Sequence, residues 1–178
     1  MEPLRLFHIS EDAGIPLFQP RPSSSFFPGI RGDVVFAISE KLLHNYLLPR
    51  DCPRVTWYAK ADSTLSDLDK WMGATSADFV MAVETKWYPA IVRTKLYCYE
   101  FPAAGFTLLD ETAGYYISYE PVAPVSIREI NDIPGELFQR NIELRFLPDL
   151  WKLADAVRKS SLSFSIIRMR NALPHYLL

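Results

Sequence analysis

Cysteine is close to absent from this chain. Cys52 and Cys98 are the only two in 178 residues, too few for a disulfide framework. Three widely separated histidines, His8, His44 and His175, complete no zinc-ligand spacing with them, so no bound metal is expected. Glycine is scarce at 7 while proline reaches 14, so turns must rely on preset φ angles more than on positive φ. No run approaches the ~20 consecutive apolar residues that span a bilayer. The opening "MEPLRLFHIS" carries charge inside its short apolar run and does not read as a signal peptide. Neither sign of charge dominates: 19 basic against 21 acidic residues give a net −2, which offers no general footprint for nucleic acid. There is no GxxxxGK[ST], no GxGxxG after a strand, no HExxH and no GxSxG, which disfavours common ATPases, Rossmann oxidoreductases, zincins and serine hydrolases. The expectation is a soluble, reduced, cytoplasmic protein with no membrane partner and no tightly held cofactor.

What is present is ordinary globular material, 49% hydrophobic and 22% charged, of a length that fits one domain over residues 1–178. "LRLFHIS" alternates as a strand, with Leu4, Leu6 and His8 on one face and Arg5, Phe7 and Ile9 on the other. Residues 19–32, with Pro20, Pro22, Pro28 and three serines, read as a long loop, either a lid or a surface excursion pinned by Phe26 and Phe27. "DVVFAIS" is a second strand, Ser39 can cap the helix "EKLLHNYLL", and "RVTWYA" is a third strand. Residues 63–92 read as two helical pieces, the second with Phe79, Val80, Val83 and Trp87 on one face and Pro89 limiting it. Five further strands follow: "KLYCYEF", "FTLLD", "YYISYEPV", "VSIREI" and "IELRFL". Their alternation suits antiparallel pairing. "PDLWKLADAVRKS" is a helix with Asp149 as cap, and "SFSIIRMRNALP" leans to helix through Leu162, Ile166, Met169 and Leu173. The order predicts an α+β fold of largely antiparallel twisted sheet with helices packed outside.

Three groups of residues carry candidate chemistry. His8 with Ser10 is either a buried polar strut or a ligand clamp, the imidazole on a ribose hydroxyl and the backbone near Ser10 on a carboxamide. Arg50, Asp51 and Arg54 crowd between a helix end and a strand start; they form a phosphate hook or a self-neutralised corner. Cys52 reads as a small buried residue. Arg168 and Arg170 must meet carboxylates or reach a pocket, and Glu100 is the obvious ion-pair partner. The tyrosines Tyr97, Tyr99, Tyr115, Tyr116 and Tyr119 can stack on bases, though aromatics are also routine core material.

"LFHISEDAGIPLFQPRP", "YLLPRDCPRVTWYA", "GYYISYEPVAPV" and "SIIRMRNALP" resemble a family of uncharacterised bacterial proteins, a domain of unknown function, over nearly the whole chain. More distantly, "HIS" at 8–10 and "VVFAISEKLLHNYLL" resemble the ADP-ribosyltransferase-like fold, which includes RNA 2′-phosphotransferases. "GYYISYEPVAP" is similar to the strand that opens on a catalytic glutamate there, but Gly114 and Tyr115 stand in its place and Glu111 comes too early. The resemblance implies a nucleotide- or NAD-binding domain, NAD being a substrate. It makes His8 and Arg54 the catalytic candidates and Ser10, Arg21, Ser39, Arg50, Tyr58, Arg168 and Arg170 the ligand contacts. A non-catalytic interaction module of the same fold, or an RNA-end-processing enzyme, are the alternatives. Glu100, Glu111 and Glu129 are the carboxylates available to replace the missing one.

Overall fold

The computed structural model describes residues 3–23 and 25–174, and the chain divides into two compact units. His175 lies outside the described residues. The first unit takes the chain up to Tyr46 together with Lys95–Asn131; the second takes Leu47–Thr94 and the chain from Asp132 onward.

The first unit is a six-stranded antiparallel sheet. Its strands are β1 (Leu6–Ser10), β2 (Val35–Ser39), β5 (Leu96–Phe101), β6 (Thr107–Asp110), β7 (Tyr115–Ser118) and β8 (Ser126–Ile130), in the order β6-β7-β2-β1-β5-β8. Alternation sends Leu6, Val35, Ala37, Tyr99 and Phe101 to one face, where Phe18 and Val122 close over them. Phe18 is fixed there by paired backbone bonds with Val122 (2.8 and 2.9 Å) and packs edge-on to Tyr99 and Phe101 at 5.0 and 4.9 Å. Burying such a ring is worth about 2–3 kcal/mol. After β2 the chain makes a 3-10 helix (Glu40–Tyr46) that buries Leu42 and Leu43. Among its described residues, the 19–32 segment forms no strand beyond the Arg21–Val34 bridge. Phe27 pins it against Phe36 and Tyr115, both at 5.9 Å, while Phe26 is 90% exposed and pins nothing.

The second unit is a four-stranded sheet of order β10-β3-β4-β9, from β3 (Arg54–Tyr58), β4 (Phe79–Glu84), β9 (Ile142–Leu147) and β10 (Ser163–Ile167). Its helices are α1 (Leu65–Asp67), continued by a π turn over Leu68–Met72, then α2 (Tyr88–Arg93), α3 (Ile133–Gln139) and α4 (Trp151–Arg158). Val55, Trp57, Val80 and Ala82 pack with Leu150, Ala154 and Val157 of the α4 segment. Asp149 is not the cap expected of it: that position falls to Leu150, which makes no side-chain cap bond, and Asp149 accepts the Trp151 N–H at 3.2 Å from one residue further out.

Four expectations are corrected here. Residues 79–84 are a strand, not a helix: β4 is central and buried from Val80 to Glu84, so alternation is lost and the apolar run imitates a buried helix. Pro89 opens α2 instead of ending a helix, because the first turn needs no proline N–H. Residues 163–167 are a strand paired with β3, and the chain then leaves through Arg168 in the left-handed region (φ 59°) into a 3-10 turn, Met169–Asn171. Finally, β9 pairs with β4 in parallel, the one parallel ladder among the described strands. The helix α3 was not anticipated, although Asp132 caps it (Gly135 N–H to Oδ1, 2.9 Å) and Pro134 sits in its first turn.

Candidate functional site: an open seam beside His8

β1 is held unequally by its two neighbours. With β5 it forms five register pairs, from Leu6–Phe101 to Ser10–Tyr97; with β2 it forms only two, Leu6–Ser39 and Phe7–Ile38. Where the second ladder stops, the Phe36 carbonyl accepts a hydrogen bond from His8 Nδ1 at 3.1 Å. A carbonyl can only accept, so Nδ1 carries the proton and the lone pair of the neutral ring lies on Nε2. The half-buried ring rests on Phe18 at 4.9 Å. The Arg5 carbonyl accepts from Glu40 N–H, on the β2 side of the strand. By parity Phe7 and Ile9 also aim their peptide groups that way. Ile9 therefore faces β2 where it has no register partner.

Register also sorts the neighbours by face. His8 opposes Tyr99, which opposes Ile127; Ser10 opposes Tyr97, which opposes Glu129. Glu129 thus shares the His8 face, two strands or roughly 10 Å from Ser10. Its hydrogen bond from Lys95 Nζ, 3.0 Å, holds its pKa below the usual carboxylate range. Glu100 opposes Phe7 and points to the other face. There it is gripped by Arg5 (2.9 and 3.1 Å) and Ser126 (3.2 Å), the Arg5 bond being the main reason its pKa is lowered. It is therefore the partner of Arg5 and not of Arg168 or Arg170. Glu111 sits in the exposed turn before β7.

Gly114, directly before β7, has no room for a side chain. Its φ is +68°, its carbonyl accepts Ser39 N–H at 2.9 Å, and a Cβ there would lie 2.5 Å from Ser39 Oγ and 3.1 Å from Leu42 Cδ1. Space for any side chain is already filled. Ser10 Oγ accepts the Asp12 N–H (3.0 Å) and ends the strand in a local turn. Arg21 contributes only backbone to its bridge and leaves its side chain exposed. His8, Ser10, Arg21 and Ser39 all belong to the first unit.

The other candidates belong to the second unit. Arg54 is 2% exposed and its Nη1 donates to the Cys52 carbonyl at 2.7 Å, the arrangement of a structural corner. Burial pushes the Cys52 thiol up to about 12, so it is no nucleophile at neutral pH. Arg168 Nε donates to the Arg50 carbonyl (3.3 Å) and Asn171 Nδ2 to the Asp51 carbonyl (2.8 Å), folding the 3-10 turn onto that corner. Arg50 and Arg170 are exposed, and Tyr58 packs on Phe79 with ring centres 4.7 Å apart. Sequence reasoning missed Glu84, a fully buried carboxylate at the end of β4. Its Oε1 accepts Leu173 N–H at 2.7 Å and its Oε2 lies 3.1 Å from Lys86 Nζ. The helical misreading of β4 hid it. Among the described residues no cluster of three or more His, Cys, Asp or Glu could hold a metal, and no helix is long and apolar enough to cross a membrane.

A family model matches residues 7–172. The chain belongs to DUF6886, a family of unknown function. No curated protein and no solved structure matches this DUF6886 chain. Its α+β architecture and its seam therefore have to speak through their own chemistry.

Proposed function

We propose that the first unit binds a nucleotide, NAD or a phosphorylated ribose, at the open β1–β2 seam, as an ADP-ribosyltransferase-like domain would. The observation that carries this is the two-pair ladder ending at a histidine whose tautomer is fixed by the Phe36 carbonyl. In this reading the His8 imidazole, at the end of the short ladder, is the group that meets a ribose hydroxyl. A carboxamide would bond the peptide of Ile9, which has no register partner on β2. Tyr97 and Tyr116 are half-buried on the same face and supply stacking surface. The closed position at Gly114 argues that any transfer chemistry rests on His8 and not on a glutamate from β7. The setting we propose is cytoplasmic, where the buried thiols of Cys52 and Cys98 stay reduced.

A second reading, an interaction module without catalysis, draws support from Arg54. A guanidinium 2% exposed with a bond to a backbone carbonyl favours a strut over a phosphate hook. Calorimetric titration with NAD, ADP-ribose and a 2′-phosphorylated nucleotide separates the readings. Nucleotide binding predicts saturable heat that weakens about tenfold or more in His8→Ala, in a variant that melts like the parent. Heat only with the 2′-phosphorylated ligand would favour RNA-end processing. No heat with any of the three would leave the interaction module.

A further inference from the structure

β9 is an edge strand among the described residues, paired on one side with β4 and packed by α3. Edges expose a row of peptide groups and are normally guarded by proline, a projecting cation or a bulge. β9 has none of these. It contains no proline, and its register with β4 is unbroken over six positions. Its cation, Arg145, is folded back onto the Trp71 and Met72 carbonyls (3.0 and 3.3 Å) and over the Trp57 ring.

The sequence of this edge, Ile-Glu-Leu-Arg-Phe-Leu, is complementary to itself. An antiparallel pair related by a two-fold axis at Leu144 sets Ile142 against Phe146, Glu143 against Arg145, and Leu144 against Leu144 of the second copy. Apolar meets apolar, and the opposite-charge pair occurs twice, giving a cluster of alternating sign with the Glu143–Arg145 bond (2.7 Å) already within each chain. The face that bears Phe146 continues in exposed apolar groups: Tyr88 rests on Phe146 at 5.5 Å and is 52% exposed, and α3 leaves Phe138 81% exposed. Other edges lack this match. A two-fold at the centre of β8 sets Arg128 against Arg128, β6 carries Asp110 with no cation to meet it, and β10 has no charge to fix a register.

We infer that the chain forms a symmetric dimer by antiparallel β9–β9 pairing, the occupant of this edge being a second copy. Sedimentation velocity of the full chain, from low micromolar concentration upward, should reveal a species of twice the 20.4 kDa chain mass. Glu143→Arg and Arg145→Glu each turn both charge pairs repulsive and should weaken self-association about tenfold or more. Mixed together, the two variants regain both pairs and should form a heterodimer. Should Arg145→Glu fail to fold for want of its carbonyl contacts, Phe146→Lys replaces it and should also dissociate the dimer. A monomer at all concentrations overturns the inference, as does a dimer that Glu143→Arg and Phe146→Lys leave intact. A dimer lost in Phe164→Lys, and not in these variants, would assign the interface to β10 instead.

Discussion

Gly114→Ala is the substitution whose cost can be worked out most fully. An alanine at φ +68° is worth about 1–2 kcal/mol of backbone strain. Its Cβ would then stand 2.5 Å from Ser39 Oγ, well inside van der Waals contact, and 3.1 Å from Leu42 Cδ1. Ser39 can rotate, but Leu42 is buried in the 3-10 helix and cannot retreat freely, so overpacking adds about 1–3 kcal/mol. The total is about 2–5 kcal/mol, a large fraction of a domain's stability. Gly105 supplies the control. It has φ +87° with nothing within 4 Å of its would-be Cβ, so Gly105→Ala should cost the strain alone, about 1–2 kcal/mol. Adding Ser39→Ala should return about 1 kcal/mol to Gly114→Ala and nothing to Gly105→Ala, a coupling of the size expected for touching residues. Urea unfolding followed by far-ultraviolet circular dichroism reads all four variants. If Gly114→Ala proves no worse than Gly105→Ala, the steric closure of this position is wrong.

Further outcomes follow from the ionisable groups. Glu100 has a lowered folded-state pKa because Arg5 bonds its carboxylate, so its stabilisation is present above the unfolded value and lost as pH falls through the folded one. With Arg5 44% exposed the pair is worth only about 0.5–1 kcal/mol, and Glu100→Gln should remove that at pH 7 while flattening the acid limb of the stability curve. An unchanged acid limb would contradict the pairing. Cys52 and Cys98, both buried, should resist a thiol reagent in native protein at pH 8 and react fully in denaturant. Rapid labelling of the folded chain would show that Cys52 is not held near a pKa of about 12.

Much of the first unit was legible in sequence because its strands alternate. Leu6 with His8 in one strand, and Tyr97, Tyr99 and Phe101 in another, each share a face by period two in a half-covered sheet. The second unit was harder where burial erased the pattern. β4 is covered on both faces, so Phe79 to Glu84 lost the alternation that marks a strand. Pro89 was an ambiguous signal, since the same ring that breaks a helix interior suits its first turn. α3 was overlooked although Asp132 and Pro134 announce it. The parallel pairing of β9 lay beyond reach for a different reason: alternation reports which face is buried, not which strand is the neighbour or in which direction it runs. The same limit applied to the site. That a histidine in "LFHIS" was unusual could be read directly. That its Nδ1 takes the place of a strand partner, and that Glu129 shares its face while Glu100 does not, depend on register.

The central claim, a ligand at the open seam, is tested most directly by following backbone amide resonances of labelled protein during titration with NAD and ADP-ribose. Binding at the seam predicts saturable shifts concentrated at Phe7–Ser10 and Val35–Ser39, with His8 side-chain resonances moving in step. A different site is available in the same unit, the cleft of about 370 Å³ beside Tyr99, lined by Ile15, Pro16, Val125 and Ile127. Shifts centred there, or none at saturating ligand, would contradict the account.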